Sequence, residues 1–206
     1  MTTRDVLIVT DVQNDFCPGG ALAVGEGDRI VPVINGIIDR FHRIVATQDW
    51  HPKHHMSFAS NHPGKKPYDQ VELGGIPQTL WPDHCVAGTA GAGFHPGLNP
   101  DRFDVIVRKG TNPAVDSYSA FLENDKKTRT GLDGYLKSIN AGRVFFCGLA
   151  TDYCVFYSAM DAASFGFDTL VILDACRGID VPAGSIDRSI GEMKSRGIRL
   201  IESGEL

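Results

Sequence analysis

Short apolar segments alternate along the chain with segments whose apolar residues recur every three to four positions. The short segments have the length and β-branched content of buried strands, and the longer ones have the spacing of helices. The predicted strands are 6–10, 44–47, 105–107, 144–148, 170–173 and 198–201. The predicted helices are 28–41, 132–139, 152–165 and 186–195.

The predicted strands are continuously apolar, whereas a strand with one wet face alternates apolar and polar residues. A continuous run indicates a sheet that is covered on both faces, and the alternation of strands with helices indicates parallel order. The expected fold is therefore a three-layer α/β/α sandwich with a mainly parallel central sheet. A chain of 206 residues suits one such domain, 1–206.

Local signals set the expected helix boundaries. Asp28 is a suitable N-cap for the first helix, and Pro32 is tolerated there only within the first turn. Gly166 and Gly197 are placed to end the third and fourth helices.

One long segment interrupts this rhythm, at about 48–101. It is rich in His, Pro and Gly and shows no clear helix or strand pattern. It also holds both tryptophans and six of the seven histidines, so we expect an ordered functional loop inserted into the domain.

Composition excludes several classes of protein. The net charge of −5 without a basic stripe argues against nucleic-acid binding, and no apolar run approaches the ~20 residues of a membrane span. The N-terminus has no secretory apolar segment, which predicts a cytoplasmic protein. The five cysteines form no Cys-x-x-Cys pair, so we expect no disulfide framework and at least one reactive thiol.

Polar side chains follow four predicted strands at their carboxyl ends, where parallel sheets bind ligands. They are Asp11, Asp49 with His51, Lys109, and Cys154 after a glycine-led turn. Their convergence would bring a carboxylate, an amine, a thiol and a metal-binding pair to one edge of the sheet.

Each of these residues has a chemical and a structural interpretation. Cys154 lies in the first turn of its predicted helix, where free N–H groups favour a thiolate and can bind an oxyanion; it could equally be a packing residue. Asp11 could exchange a proton with that thiol or simply form a turn. Lys109 could hold the carboxylate ionised or be a solvated surface lysine.

Asp49 and His51 are two residues apart in an extended segment, so both side chains can reach one metal ion. Two ligands do not make a tight site. Spacing leaves five candidates for a third ligand: His54, His55, His62, His84 and His95.

Seven stretches in order along the chain resemble the nicotinamidase/pyrazinamidase family, within the isochorismatase-like cysteine hydrolases. They are 11–16, 48–52, 57–59, 81–85, 108–110, 116–121 and 148–155. The resemblance implies the isochorismatase-like hydrolase fold and the conversion of nicotinamide to nicotinate and ammonia through a thioester, with pyrazinamide as a second substrate.

The resemblance also implies catalytic roles. Cys154 would be the nucleophile, Asp11 the general base and acid, and Lys109 the third member of the triad. The N–H groups of Ala150 and Cys154 would hold the oxyanion, with a cis peptide bond before Ala150.

Ligand and substrate contacts follow from the same resemblance. The metal ligands would be Asp49, His51 and His84, with Ser57 close to the ion. An aromatic wall would surround the pyridine ring, formed by Phe16, Trp81 and Tyr118, with Tyr153 as a further candidate.

One divalent metal ion is thus the expected cofactor; zinc is expected first, and iron or manganese also suit the ligands. No Gly-rich phosphate motif follows the first strand, so no nucleotide cofactor is expected. Two other functions compete: a related cysteine amidohydrolase of ureidoacrylate or an N-carbamoyl compound, and a catalytically silent binding module. The sequence leaves the oligomeric state open, and a homo-oligomer is compatible with it.

Overall fold

Parallel strand pairing organises the structure, a computed structural model that describes residues 1–206. Six strands form one sheet in the order β5-β2-β1-β6-β7-β8, and every neighbouring pair in it is parallel. In chain order the strands are β1 Asp5–Thr10, β2 Arg43–Asp49, β3 Gln70–Leu73, β4 Ile76–Thr79, β5 Val105–Lys109, β6 Arg143–Leu149, β7 Asp168–Arg177 and β8 Arg199–Ile201.

Helices cover both faces of this sheet, as the continuously apolar strands predict. They are α1 Ile30–Ile38, α2 Leu132–Ser138, α3 Phe156–Ser164 and α4 Ser185–Ser195. Leu7 and Val9 of β1 pack in the cluster that contains α1, whereas Val6 and Ile8 pack in the cluster that contains the other three helices. The three-layer α/β/α sandwich is therefore confirmed.

All six predicted sheet strands are present, and β2, β5 and β7 continue beyond their predicted apolar residues. β2 continues to Asp49 and β5 continues to Lys109, and these two residues are paired across the ladder. The polar ends are strands because the ladder pairs their backbone, which an apolar pattern does not report.

The helix boundaries were predicted with mixed success. Gly166 and Gly197 follow α3 and α4 with positive φ, as expected of residues that end helices. The assignment of Asp28 as N-cap is wrong: Asp28 lies inside a 3₁₀ turn, and the N-cap of α1 is Arg29, without a side-chain cap. Pro32 does lie in the first turn of α1.

The segment 48–101 is not devoid of regular structure. β3 and β4 form an antiparallel hairpin joined by Gly74 and Gly75, both with positive φ. Two consecutive residues with positive φ suit a two-residue hairpin turn, so the Gly-Gly pair in the sequence is typical of a β-hairpin. None of the helices is long and apolar enough to cross a membrane.

The strand order creates a crevice at the centre of the sheet. β1 lies between β2 and β6, and the chain builds outwards from it in both directions. In open parallel sheets, ligands bind beyond the carboxyl ends of the strands where the order reverses. Asp11 and Cys154 follow the two strands that flank this point.

Candidate active site

The strand ends bring the predicted thiol, carboxylate and amine together in the interior. Lys109 Nζ lies 3.0 Å from Asp11 Oδ2 and 3.4 Å from Cys154 Sγ. It also contacts the Asp49 carboxylate and donates a hydrogen bond of 2.9 Å to the Ser117 carbonyl. Lys109 is only 2% exposed, so its interpretation as a solvated surface lysine is wrong.

The Asp11 carboxylate is held through both of its oxygens. Its backbone is left-handed, with φ 47°, and this turns the chain away as β1 ends. Thr47 Oγ1 donates a 2.6 Å hydrogen bond to Oδ1, while Oδ2 forms the 3.0 Å ion pair with Lys109 Nζ. Burial raises the pKa of Asp11 above its ordinary value, against the opposing effect of the Lys109 ammonium.

Cys154 lies in a π-helical turn, Thr151–Val155, that leads into α3. Burial raises the pKa of its thiol well above the ordinary value, although the Lys109 ammonium opposes this. The sequence favoured a resting thiolate, whereas the buried environment favours the protonated thiol. Any attack by this sulfur would therefore need a base, and a carboxylate oxygen of Asp11 lies within 4.8 Å of it.

The start of the same turn carries a free backbone donor. The Leu149–Ala150 peptide bond is cis, as the resemblance implied. The Ala150 carbonyl accepts from the N–H groups of Tyr153 and Val155, but the Ala150 N–H donates to no protein acceptor. A developing oxyanion beside Cys154 could accept a hydrogen bond from that N–H.

A carboxylate and two imidazoles converge next to this group. His51 Nε2 and His84 Nε2 lie 3.5 and 3.8 Å from Asp49 Oδ2. The Nδ1 atoms of the two rings are hydrogen-bonded to the carbonyls of Gly110 and Pro82, at 2.9 and 2.8 Å. Because these bonds engage Nδ1, each Nε2 is left available for a metal ion.

The protonation states of this cluster suit a divalent cation. Burial, and then the neighbouring His51, lower the pKa of His84 to about 4, so its ring is neutral near pH 7. Burial would raise the pKa of Asp49, but Lys109 and His51 lower it below its ordinary value. Burial would lower the pKa of His51, but the Asp49 carboxylate raises it above its ordinary value, so an ion that binds there competes with a proton for Nε2 of this ring. Two neutral imidazoles and an ionised carboxylate are donors that zinc accepts, so the set fits such an ion once His51 is deprotonated.

The remaining candidate histidines are less suited to that role. His55 lies close to His51 and Asp116, but both its ring nitrogens have protein partners, Ser57 Oγ at 2.7 Å and the Val115 carbonyl at 3.3 Å. His54, His62 and His95 belong to no such cluster. Ser57 is completely buried, and its hydroxyl is paired with His55.

Gly110 shows how tightly the chain packs against the cluster. Its φ is +63°, and a Cβ there would lie 2.3 Å from His51 Cε1. The glycine that follows Lys109 thus lets the backbone approach the imidazole closely.

An open cavity gives access to the thiol and the cluster. Aromatic rings line one side, with the Trp81 and Tyr153 centroids 5.0 Å apart and edge-on, and Trp81 Nε1 donates to the Tyr118 hydroxyl at 3.2 Å. All the residues predicted to contact substrate line the cavity, and the sequence missed four others. The complete lining is Phe16, Leu22, Val24, Asp49, Trp81, His84, Asp116, Tyr118, Ala150, Tyr153, Cys154 and Ile179.

Known proteins resemble this chain over almost its whole length. The isochorismatase domain model matches residues 5–205. A nicotinamidase of Acinetobacter baylyi is 50% identical, across 96% of this chain and 92% of its own. The solved nicotinamidase pyrazinamidease of Acinetobacter baumanii superposes with a TM-score of 0.97 at 49% identity, covering 100% of this chain and 99% of that one.

A more distant structure was solved with a metal. The pyrazinamidase of Pyrococcus horikoshii in complex with zinc is 39% identical, with a TM-score of 0.78, and the match covers 97% of this chain and 99% of that one. From the domain match and these identities, together with the geometry above, the chain belongs to the isochorismatase family, in its nicotinamidase/pyrazinamidase branch.

Proposed function

We propose that this chain hydrolyses nicotinamide to nicotinate and ammonia through a thioester on Cys154. The observation that carries the proposal is the buried triad, in which one ammonium lies within 3.4 Å of both a thiol and a carboxylate beside an aromatic cavity. Pyrazinamide would be a second substrate, because a Mycobacterium tuberculosis relative named nicotinamidase/pyrazinamidase is 34% identical to this chain.

The first half of the reaction forms the thioester. Asp11 takes the proton of Cys154, and the sulfur attacks the carboxamide carbon. The N–H groups of Ala150 and Cys154 stabilise the oxyanion, a type of donor whose loss typically costs ~2.7–4 kcal/mol in the barrier. Asp11 then returns its proton to the leaving ammonia, because the amide nitrogen is a poor leaving group until it is protonated.

The second half releases the acid. Asp11 removes a proton from water, and the resulting hydroxide attacks the thioester carbon. The C–S bond then breaks, the sulfur takes the proton back from Asp11, and the nicotinic acid loses its own proton to solvent as nicotinate. Throughout, Lys109 faces two carboxylates, Asp11 and Asp49, so its charge compensates them in the buried site. We propose that this is its catalytic contribution.

The ring would be held from two sides. Phe16, Trp81 and Tyr118 supply aromatic surface for stacking against the pyridine. Asp49, His51 and His84 would hold one divalent ion, with Ser57 nearby. The bound ion would supply Lewis acidity and a fixed point for orienting the ring; the zinc complex of the Pyrococcus relative supports zinc, and iron or manganese suit the same donors.

The biological setting is also part of the proposal. All five cysteines are free, which suits a reducing compartment, and we propose a cytoplasmic enzyme of pyridine nucleotide salvage. We further propose that residues 1–206 act as one catalytic domain, with the segment 48–101 as its metal- and substrate-binding insertion.

Rates measured separately on two substrates distinguish this function from its nearest alternative, hydrolysis of ureidoacrylate or an N-carbamoyl compound. The relatives that the chain matches are nicotinamidases, so the alternative is not favoured. Ammonia release should be at least about 100-fold faster from nicotinamide than from ureidoacrylate at equal concentration, a gap of ~2.7 kcal/mol in barrier. Faster release from ureidoacrylate would contradict the substrate assignment.

Replacing His84 with alanine should weaken the metal site. The variant loses one of three protein ligands, so we expect less zinc per chain after dialysis against a weak chelator, together with a higher KM for nicotinamide. His95→Ala, in a loop outside the cluster, is the control and should keep its zinc. Equal metal content in both variants would show that His84 is not a ligand.

The dependence of kcat/KM on pH should show the ionisation of Asp11. The base must be ionised to take the thiol proton, and burial raises its pKa, so kcat/KM should fall with acid at a midpoint above 3.8, the ordinary aspartate value. Asp11→Asn should lower kcat by ~10³-fold or more and abolish this limb. Metal content is measured at each pH as a control. An unchanged acid limb in the variant would assign the titration to another group.

A further inference from the structure

The end of β1 leaves a gap in the sheet beside Asp49. The last pair in the β1–β2 ladder is Val9 with Ala46, and Asp11 then turns the chain away with φ 47°. On its other side Asp49 is paired with Lys109 of β5. The N–H and carbonyl of Asp49 on the β1 side therefore have no strand to pair with.

The side chain of Gln13 fills this gap. Gln13 is completely buried, and its Nε2 donates to the Asp49 carbonyl at 2.8 Å while its Oε1 accepts from the Asp49 N–H at 2.8 Å. The second Nε2 hydrogen donates to the Ala92 carbonyl at 2.9 Å. A carboxamide offers the same donor and acceptor as a peptide group, so Gln13 continues the ladder where β1 has ended.

Asp49 connects the catalytic amine with the metal-binding cluster. Its carboxylate contacts Lys109 Nζ through one oxygen and faces the Nε2 atoms of His51 and His84 with the other. A shift of its backbone would disturb the amine and the metal-binding cluster together, because outer hydrogen bonds orient metal ligands. We infer that Gln13 is a positioning residue that fixes Asp49, an inference that rests on the proposed function for its catalytic consequence.

The neighbouring Gln48 offers a matched control. It is also a buried glutamine, and its Nε2 donates to the same Ala92 carbonyl at 2.8 Å. Its Oε1 accepts from Arg108 Nε at 3.2 Å, and its side chain makes no hydrogen bond to Asp49. Loss of Gln48 therefore removes a comparable buried carboxamide without releasing the Asp49 backbone.

The experiment measures zinc affinity of the metal-free protein by competition with a chromogenic chelator. Gln13→Met should raise the Kd for Zn²⁺ by about 10–100-fold, whereas Gln48→Met should stay within about threefold of the wild type. Both should lower the thermal midpoint, so stability alone does not distinguish them. Equal Zn²⁺ affinity in the two variants, whether both are unchanged or both are weakened, would overturn the inference.

A second variant and a second readout keep the test decisive. Gln13→Asn keeps the carboxamide but is one methylene shorter, so it should also weaken Zn²⁺ binding; it replaces Gln13→Met if that variant does not fold. Nicotinamide turnover is measured separately at saturating Zn²⁺. If the wild type binds Zn²⁺ but hydrolyses no nicotinamide, the proposed function fails while the affinity comparison still decides the role of Gln13.

Discussion

Replacing Cys154 with alanine should abolish nicotinamide hydrolysis and leave the protein folded. Cys154 is the only cysteine within hydrogen-bond distance of Lys109 Nζ. Loss of the nucleophile from a catalytic triad lowers kcat by ~10⁶-fold in a well-studied protease. We expect a loss of at least about 10⁴-fold here. The substitution removes one buried sulfur atom, so the free energy of unfolding should change by no more than about 1–2 kcal/mol.

Cys176→Ala is the matched control for this result. Cys176 is also a buried free cysteine, on β7, but it does not line the cavity. The control should keep its turnover and its reaction with a thiol-alkylating analogue of the substrate, whereas Cys154→Ala should lose both. Appreciable hydrolysis by purified Cys154→Ala would refute the nucleophile assignment.

Lys109→Met should have the largest combined effect on stability and activity. Methionine fills a similar volume but leaves the buried carboxylates of Asp11 and Asp49 without their ammonium partner. Removing one member of a buried ion pair typically costs ~3–5 kcal/mol in the free energy of unfolding. Turnover should also be lost, because without Lys109 the pKa of Asp11 rises further and the base becomes harder to ionise.

The destabilisation should depend on pH in a defined direction. A buried carboxyl whose pKa is raised in the folded state binds more protons folded than unfolded, so stability falls as pH rises. The stability deficit of Lys109→Met should therefore be largest near neutral pH and shrink in acid. Urea unfolding near neutral pH and in acid measures the stability deficit at each pH, with Lys137→Met as the control.

The Lys137→Met control tests whether the loss of any ion-paired lysine lowers the free energy of unfolding by a similar amount. Lys137 lies 3.4 Å from Asp133 on α2, with its side chain 56% exposed, so its loss should cost no more than ~1 kcal/mol. A Lys109→Met variant as stable as Lys137→Met at neutral pH would contradict the account of Lys109 as the compensating charge of a buried site.

Much of the fold could be predicted because its main signals are local. Continuous apolar runs such as Val6–Val9 require burial on both faces, and their alternation with helical repeats specifies parallel layers. The structure departs where backbone pairing overrides local preference. Asp28 has the chemistry of an N-cap, but it lies in a 3₁₀ turn that precedes the helix, and the N-cap is the next residue, Arg29.

The site was less evenly predictable. Asp11, Lys109 and Cys154 could be found because parallel strands end at one edge, but spacing alone could not choose among five histidines. The contacts in the structure support the proposal of His84, because the Pro82 carbonyl engages its Nδ1 and its Nε2 faces Asp49. The contact between His84 and Asp49 joins segments that are far apart in the chain, so the sequence alone indicated it only through the family resemblance.

Two further features lay beyond the local signals. Leu22, Val24 and Ile179 line the cavity from loops, where apolar residues have no periodicity to report burial. The protonated state of Cys154 depends on burial outweighing a nearby ammonium. That balance is set by the three-dimensional environment, whereas a helix N-terminus alone favours the thiolate.

The most direct test of the central claim is ammonia release from nicotinamide by the purified protein, measured before and after chelation and again after zinc is restored. We expect ammonia and nicotinate in equal amounts, a rate that falls on chelation, and recovery with zinc. Metal-replete protein that releases no ammonia from nicotinamide would contradict the proposed function, although the fold and family assignment would stand.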